Sequence, residues 1–201
     1  MALGDSYATT AELKSYLRIT DTAEDTLLSD SLSTASRLIE HHCDRQFNKA
    51  TSASARVFYA DAPCTVVVDD FHTTTDLVIK HSSGDDGTYD ITLTTADYQL
   101  LPLNGIVSGE SGWPYYRIEL QGFYVSAAVR PQIQVTAQWG WTAVPAAIKR
   151  ATVQMAEEIY KLKGAPFGVA GVDQFGPIRI RDNQRVTAML APYRRSPVLV
   201  A

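Results

Sequence analysis

The chain has 201 residues, 45% apolar and 20% charged, a balance that excludes disordered and collagen-like chains and leaves a folded globular protein. Its net charge of −4 is unevenly placed: residues 145–201 hold nine Lys and Arg against four Asp and Glu, while the first 144 hold nine against eighteen, so an acidic partner is expected to be steered to the C-terminal portion. No run reaches the roughly 20 apolar residues of a membrane helix and MALGDSYATT carries no export signal, so a soluble protein made in a reducing cytoplasm is expected, with no membrane contact.

Residues 9–17 start with Thr9 and place Glu12 three residues on, the spacing of a capping box, which predicts a short first helix. Residues 21–43 repeat the spacing with Asp21 and Glu24, then set Leu27, Leu28, Leu32, Ala35, Leu38 and Ile39 at helical intervals. A long amphipathic helix follows, with His41 and His42 at its C-terminal end, where cations suit the helix dipole. From about Lys49 to Gly140 the texture changes to β-branched and aromatic runs: ARVFYA, CTVVVDD, DLVIKH, YDITLT, YYRIEL and PQIQVTAQW. Turn residues separate them, as in SSGDDG, LNG and SGESGWP, so six or more short antiparallel strands are expected in a sandwich or barrel. Helical spacing returns over 145–163, with Pro145 in the first turn and Gly164 as a C-terminal cap. The stretch 164–177 is too rich in Gly and Pro for regular structure. Asp182 or Asn183 then caps a last short helix carrying Val186, Met189 and Leu190, which Pro192 stops.

Neither helical end has enough apolar face to fold alone, so the two are expected to share a core. The fold class read from this is α+β: a small helical bundle formed by residues 1–49 and 141–191, an inserted antiparallel β-sandwich or barrel over 50–140, and an extended tail over 192–201.

Little in the sequence carries chemistry. His41, His42 and Cys43 are adjacent, and neighbouring helical residues point about 100° apart, so they cannot readily share an ion; His72, His81 and Cys64 offer no ligand spacing either. Asp85, Asp86 and Asp90 lie in GDDGTYD, which lacks a calcium loop's closing Glu and reads as a turn. No nucleotide-binding loop or nucleophile elbow occurs. No catalytic residue, metal or cofactor is therefore expected, and the protein reads as not an enzyme. Trp113, Tyr115, Tyr116, Phe123, Tyr124, Trp139 and Trp141 fit a sheet core better than a sugar-stacking surface. The basic residues Arg179, Arg181, Arg185, Arg194 and Arg195 fit a protein partner better than nucleic acid, since few aromatics lie among them.

The order of the elements has a known counterpart. The opening YATTAELKSYLRITDTAEDTLLSDSLSTASRLIEHHCDRQF resembles the start of tailed-phage head-to-tail connector proteins of the portal-adaptor type. The stretch VTAQWGWTAVPAAIKRATVQMAEEIYKLKGAPFG and the ending GPIRIRDNQRVTAMLAPYRR are similar to that family's closing elements, whereas compact members have far shorter connections where residues 50–140 stand.

The resemblance implies a structural virion protein, made in the host cytoplasm, that forms a dodecameric ring in the neck. Its partners would be the portal protein and a tail-side stopper or tail terminator, and genomic DNA would pass through without sequence-specific binding. It places Tyr193, Arg194, Arg195, Val198 and Leu199 at the portal. Leu28, Leu32, Ile39, Met155 and Ile159, on the two long helices, would face neighbouring subunits of a closing ring. Two rival readings are a β-domain binding module recognising a glycan or protein, and a hydrolase using His72 or His81.

Overall fold

The computed structural model describes residues 4–84, 86–122, 130–162 and 183–195. The chain divides into two compact units, one of helices built from Leu3–Phe47 with Val144–Arg195 and one of strands over Asn48–Ala143.

In the helical unit, α1 spans Thr10–Leu17 behind the expected capping box. The Thr9 hydroxyl accepts the Glu12 N–H at 3.2 Å, and the Glu12 carboxylate accepts the Thr9 N–H at 2.6 Å. Helix α2 spans Asp25–Cys43 and begins four residues later than its sequence spacing predicts. The reason is local: the Asp21 carboxylate accepts the Ala23 N–H at 3.1 Å, a turn that competes with helix initiation. At the other end Asp44 adopts the left-handed conformation, φ 51°, and its N–H caps the Glu40 carbonyl.

Helix α3 spans Ala146–Lys161, with Pro145 immediately ahead of it. Helix α4 spans Gln184–Leu190 and is capped by Asn183, whose side-chain oxygen accepts the Val186 N–H at 3.1 Å. The chain still turns at Ala191–Tyr193, a 3₁₀ turn, where an extended tail had been expected to begin. The Gly-rich stretch 164–177, Asp182 and residues 196–201 lie outside the described residues.

Helix α3 packs on α2 and takes contacts from α1 and α4. Leu28, Leu32, Ala35 and Ile39 of α2 are buried, as are Leu13 of α1, Ile148, Ala151 and Met155 of α3, and Val186 and Leu190 of α4. The core is therefore built from both ends of the chain. Burying each large aliphatic side chain contributes about 1.5–3 kcal/mol before conformational entropy is charged against it.

In the β unit, the strands are β1 (Ser54–Phe58), β2 (Thr65–His81), β3 (Ile91–Thr92), β4 (Tyr98–Leu101), β5 (Ile106–Val107), β6 (Glu110–Ser111), β7 (Tyr115–Leu120) and β8 (Ile133–Trp139). Six of them form one antiparallel sheet in the order β1-β8-β2-β7-β4 with β3 beside β2, and β5 and β6 pair as a separate hairpin. The α+β class holds, but among the described residues no strand pairing closes a barrel.

A single sheet suffices because β2 is one bulged strand where two short ones were read. Its first part, Thr65–Phe71, pairs with β7, and its later part, Phe71–His81, pairs with β8 and β3. The register slips between these parts, and Asp76 within the strand has φ 59°. Bulges of this kind bend a strand so that it can serve two neighbours. The core of the sheet holds Val66, Val68, Phe71, Ile79, Ile118, Ile133, Val135 and Trp139.

Candidate partner and subunit surfaces

The C-terminal end of α2 and residues 191–195 form one packed feature of the helical unit. Phe47 is fully buried, with the Tyr7 ring 5.5 Å away and the Tyr193 ring 6.0 Å away, both edge-on. The Tyr7 hydroxyl donates to the Glu40 carboxylate and accepts the Phe47 N–H at 3.1 Å. Burial, then the bond to Glu40, holds the Tyr7 phenol far above its ordinary pKa, so it stays a neutral donor. The Arg195 N–H donates to the Cys43 carbonyl at 2.9 Å, pinning the chain after α4 to the end of α2.

Three of the residues assigned to portal contact, Tyr193, Arg194 and Arg195, thus stand at the end of α2, half-buried, exposed and half-buried respectively. Val198 and Leu199 lie outside the described residues. Burial pushes the Cys43 thiol up to about 12, against the opposing influence of Arg45 and Arg194. A thiol held neutral is neither a nucleophile nor a ready metal ligand. His42 is held below the ordinary histidine range, first by burial and then by Arg194 and His41. This runs against the sequence reading of a cation favoured by the helix dipole, because desolvation and crowded positive charge outweigh it.

The residues assigned to neighbouring subunits have a different setting. Leu28, Leu32, Ile39 and Met155 are buried inside the helical unit itself, with at most 1% exposure, and Ile159 is half-buried. Side chains covered this completely fill the chain's own core. The outward surface of the helical unit is instead offered by residues such as Leu27 of α2 and Tyr16 of α1, each 37% exposed. Tyr16 borders a shallow groove of about 360 Å³ between α1 and α3, lined also by Glu12, Ser15, Ala146, Lys149, Arg150 and Val153. The Arg150 guanidinium lies 5.2 Å from the Tyr16 ring centre, and Lys149 pairs with Glu12 at 3.6 Å. Periodicity marked the apolar faces of these helices, but it does not say which apolar residues a chain covers by itself.

Elsewhere the candidate residues are structural. Among the described residues no group of three or more His, Cys, Asp or Glu is placed to hold a metal. The Asp90 carboxylate accepts the Ser83 N–H at 3.0 Å and the Ser83 hydroxyl at 2.6 Å, bonds that hold it below its usual range. Asp86 accepts the Thr88 N–H at 2.8 Å, so both acids close a turn. Trp113, Trp139 and Trp141 are buried, and the Trp141 indole N–H donates to the Asp70 carboxylate at 2.8 Å. Phe123 and Tyr124 lie outside the described residues. No helix among the described residues is long and apolar enough to cross a membrane.

Comparison with known proteins places this arrangement. Residues 7–96 match the profile of the phage gp6-like head-tail connector protein family. No curated protein sequence matches the chain. Among solved structures, a chain in the neck of an empty gene transfer agent (GTA) particle, computed with C6 symmetry, is 20% identical with a TM-score of 0.60, covering 97% of this chain and 93% of that one. A chain in the virion of the native gene transfer agent particle is 18% identical with a TM-score of 0.58, covering 100% and 96%. A third, in the native particle's neck computed with C12 symmetry, is 16% identical with a TM-score of 0.53, covering 100% and 99%. At these identities the likeness is one of fold, and it spans both units. The match to the phage gp6-like head-tail connector family covers residues 7–96, through α1, α2 and strands β1 to β3, which is a little under half of the chain.

Proposed function

We propose that the protein is a structural subunit of the neck of a tailed phage or phage-like particle, a head-to-tail adaptor that joins the portal to the tail. The observation that carries this reading is the family match over α1 and α2, together with a fold that neck chains share along almost their whole length. The role is one of assembly, with no catalytic step. The subunits stand side by side in a closed ring, a dodecamer, around the passage through which the genome moves. A ring of identical chains requires heterologous interfaces, and the exposed flanks of α2 and α3, beside the buried Leu28, Leu32, Ile39 and Met155 and around the half-buried Ile159, supply one. Tyr193, Arg194 and Arg195, with Val198 and Leu199 beyond them, meet the portal, and the opposite side of the ring meets a tail-side neck protein. The acidic balance of the first 144 residues keeps the wall from gripping DNA phosphates.

Assembly in the absence of this chain tests the reading. Filled heads and separate tails that fail to join are expected, and joining restored when the purified protein is added. Normal numbers of joined particles without it would overturn the proposal.

A further inference from the structure

Helix α2 carries two stripes. Leu28, Leu32, Ala35 and Ile39 turn the first into the chain's own core. Leu27, Asp30, Thr34 and Leu38, at intervals of three or four residues, form the second. Leu27 is 37% exposed, Asp30 and Thr34 are exposed, and Leu38 is half-buried. Among the described residues Asp30 makes no ion pair. An alkyl side chain and a carboxylate therefore stand one turn apart on a helix face that the chain itself leaves uncovered.

The groove between α1 and α3 presents the complementary set. Its lining is mostly apolar, with Val153 and Ala146 on one face of α3, and its volume of about 360 Å³ has room for the side chains of a helical turn. Tyr16 and Arg150 border it, with the guanidinium 5.2 Å from the ring centre. Glu12, the one carboxylate in the lining, is already committed: it accepts the Thr9 N–H at 2.6 Å and pairs with Lys149 at 3.6 Å. Among the described residues the exposed Arg150 thus has the Tyr16 ring but no carboxylate. Tyrosine and arginine are among the side chains that most often anchor a protein interface.

We propose that Leu27 and Asp30 of one copy seat in the Tyr16–Arg150 groove of the next, Leu27 on the apolar lining and the Asp30 carboxylate on the Arg150 guanidinium. This rests on the adaptor reading and names the contact that closes its ring. The occupant is a second copy because the chain itself carries the matching pair of groups, unpaired carboxylate against unpaired guanidinium, at the spacing of one turn. A nucleic-acid phosphate would leave the apolar lining unfilled and would meet Glu12. The stripe lies on α2 and the groove between α1 and α3, so the contact joins two different patches and passes from copy to copy. A guanidinium donates to a carboxylate bidentately, which fixes the angle between neighbours as well as their attraction.

Charge exchange tests this, with the full-length purified chain added to heads and tails that lack it. Asp30→Arg and Arg150→Asp should each lower the yield of joined particles by about tenfold or more, since each sets like charges against one another at every contact of the ring. The double variant should return to within about threefold of the parent. An equal mixture of the two single variants should do the same, because copies alternating around the proposed dodecamer again oppose Arg and Asp at every contact. Both residues are exposed, so the melting temperature of each variant should match the parent and separate docking from folding. Single variants that join heads to tails as well as the parent would overturn the contact while the adaptor reading stands. Recovery in the double variant but not in the mixture would put the pair inside one chain and overturn a contact between copies. A loss that neither combination restores would overturn the pairing in favour of another occupant of the groove. Failure of the parent chain to join heads to tails would overturn the adaptor reading itself.

Discussion

Gly140 follows β8 with φ +94°, and a β-carbon there would stand 1.7 Å from the Asn48 carbonyl oxygen. The obstacle is backbone, because the Trp141 N–H donates to that same Asn48 carbonyl at 3.1 Å and the Gly140 N–H donates to the Asp70 carbonyl at 2.6 Å. Gly140→Ala should therefore destabilise by more than about 4 kcal/mol, in the extreme tail of single substitutions, read as loss of the tryptophan-reported unfolding transition or of soluble protein. A variant melting within a few degrees of the parent would show that this crossing can open. Tyr7→Phe should cost about 1–3 kcal/mol, since it removes the hydroxyl that accepts the buried Phe47 N–H and donates to the Glu40 carboxylate; chemical denaturation measures it. Some of this scale was readable in advance. Thr9 and Glu12 meet their partners within four residues, so spacing alone identifies the box. Asp21 and Glu24 have the same spacing and form no box, because a nearer amide, that of Ala23, takes the Asp21 carboxylate. The Arg56 guanidinium, 4.6 Å from the Trp139 ring centre and 2.6 Å from Asp69, depends on strand register and left no trace in the sequence.

Helices were legible at the scale of elements because a 3.6-residue period survives in each, and α1, α3 and α4 lie close to their predicted spans. Strands were less so. CTVVVDD and DLVIKH read as two strands, but backbone pairing carries the chain through the polar FHTTT between them as one bulged β2. The four-residue β4, YQLL, has no alternation to mark it and gains its place by pairing with β7. Two predictions belong here. Thr9→Ala removes one half of the α1 box and should cost about 1 kcal/mol, visible as a lower thermal midpoint; no change would mean that α1 is held by packing alone. The second concerns pH. His42 and His72 are both held below the ordinary histidine value, each first by burial, then by Arg194 and His41 or by Lys49. A histidine depressed in the folded state binds fewer protons than the unfolded chain, so folding should weaken as pH falls through about 6.5. Thermal midpoints from pH 8 to about 5 should decline, and less steeply in His42→Gln and in His72→Gln. A midpoint that rises on acidification would contradict both assignments.

For the whole molecule, the sequence carried the class and the division into helical ends around a strand-rich middle, because texture and period change at about residues 49 and 140. It misplaced the surface of the helical unit. Leu28, Leu32, Ile39 and Met155 looked available to a neighbour, yet the two ends of the chain use them on each other, a consequence of long-range closure that no local pattern contains. In the ring proposed above, closure would rely on what the helices leave outside, including Tyr16, Leu27 and the groove between α1 and α3. Replacing Leu27 and Tyr16 with Asp should impair ring assembly while leaving the melting temperature of the monomer nearly unchanged, measured by sedimentation and calorimetry. The same pair of substitutions in Leu28 and Leu32 should unfold the chain, since each buries a charge without a partner. The central claim is that this chain builds the neck, and cryo-electron microscopy of the assembled particle's neck tests it most directly. The account predicts a closed ring of this chain between portal and tail, with residues 193–195 on the portal side; density there that excludes this fold, or the chain located elsewhere in the particle, would contradict it.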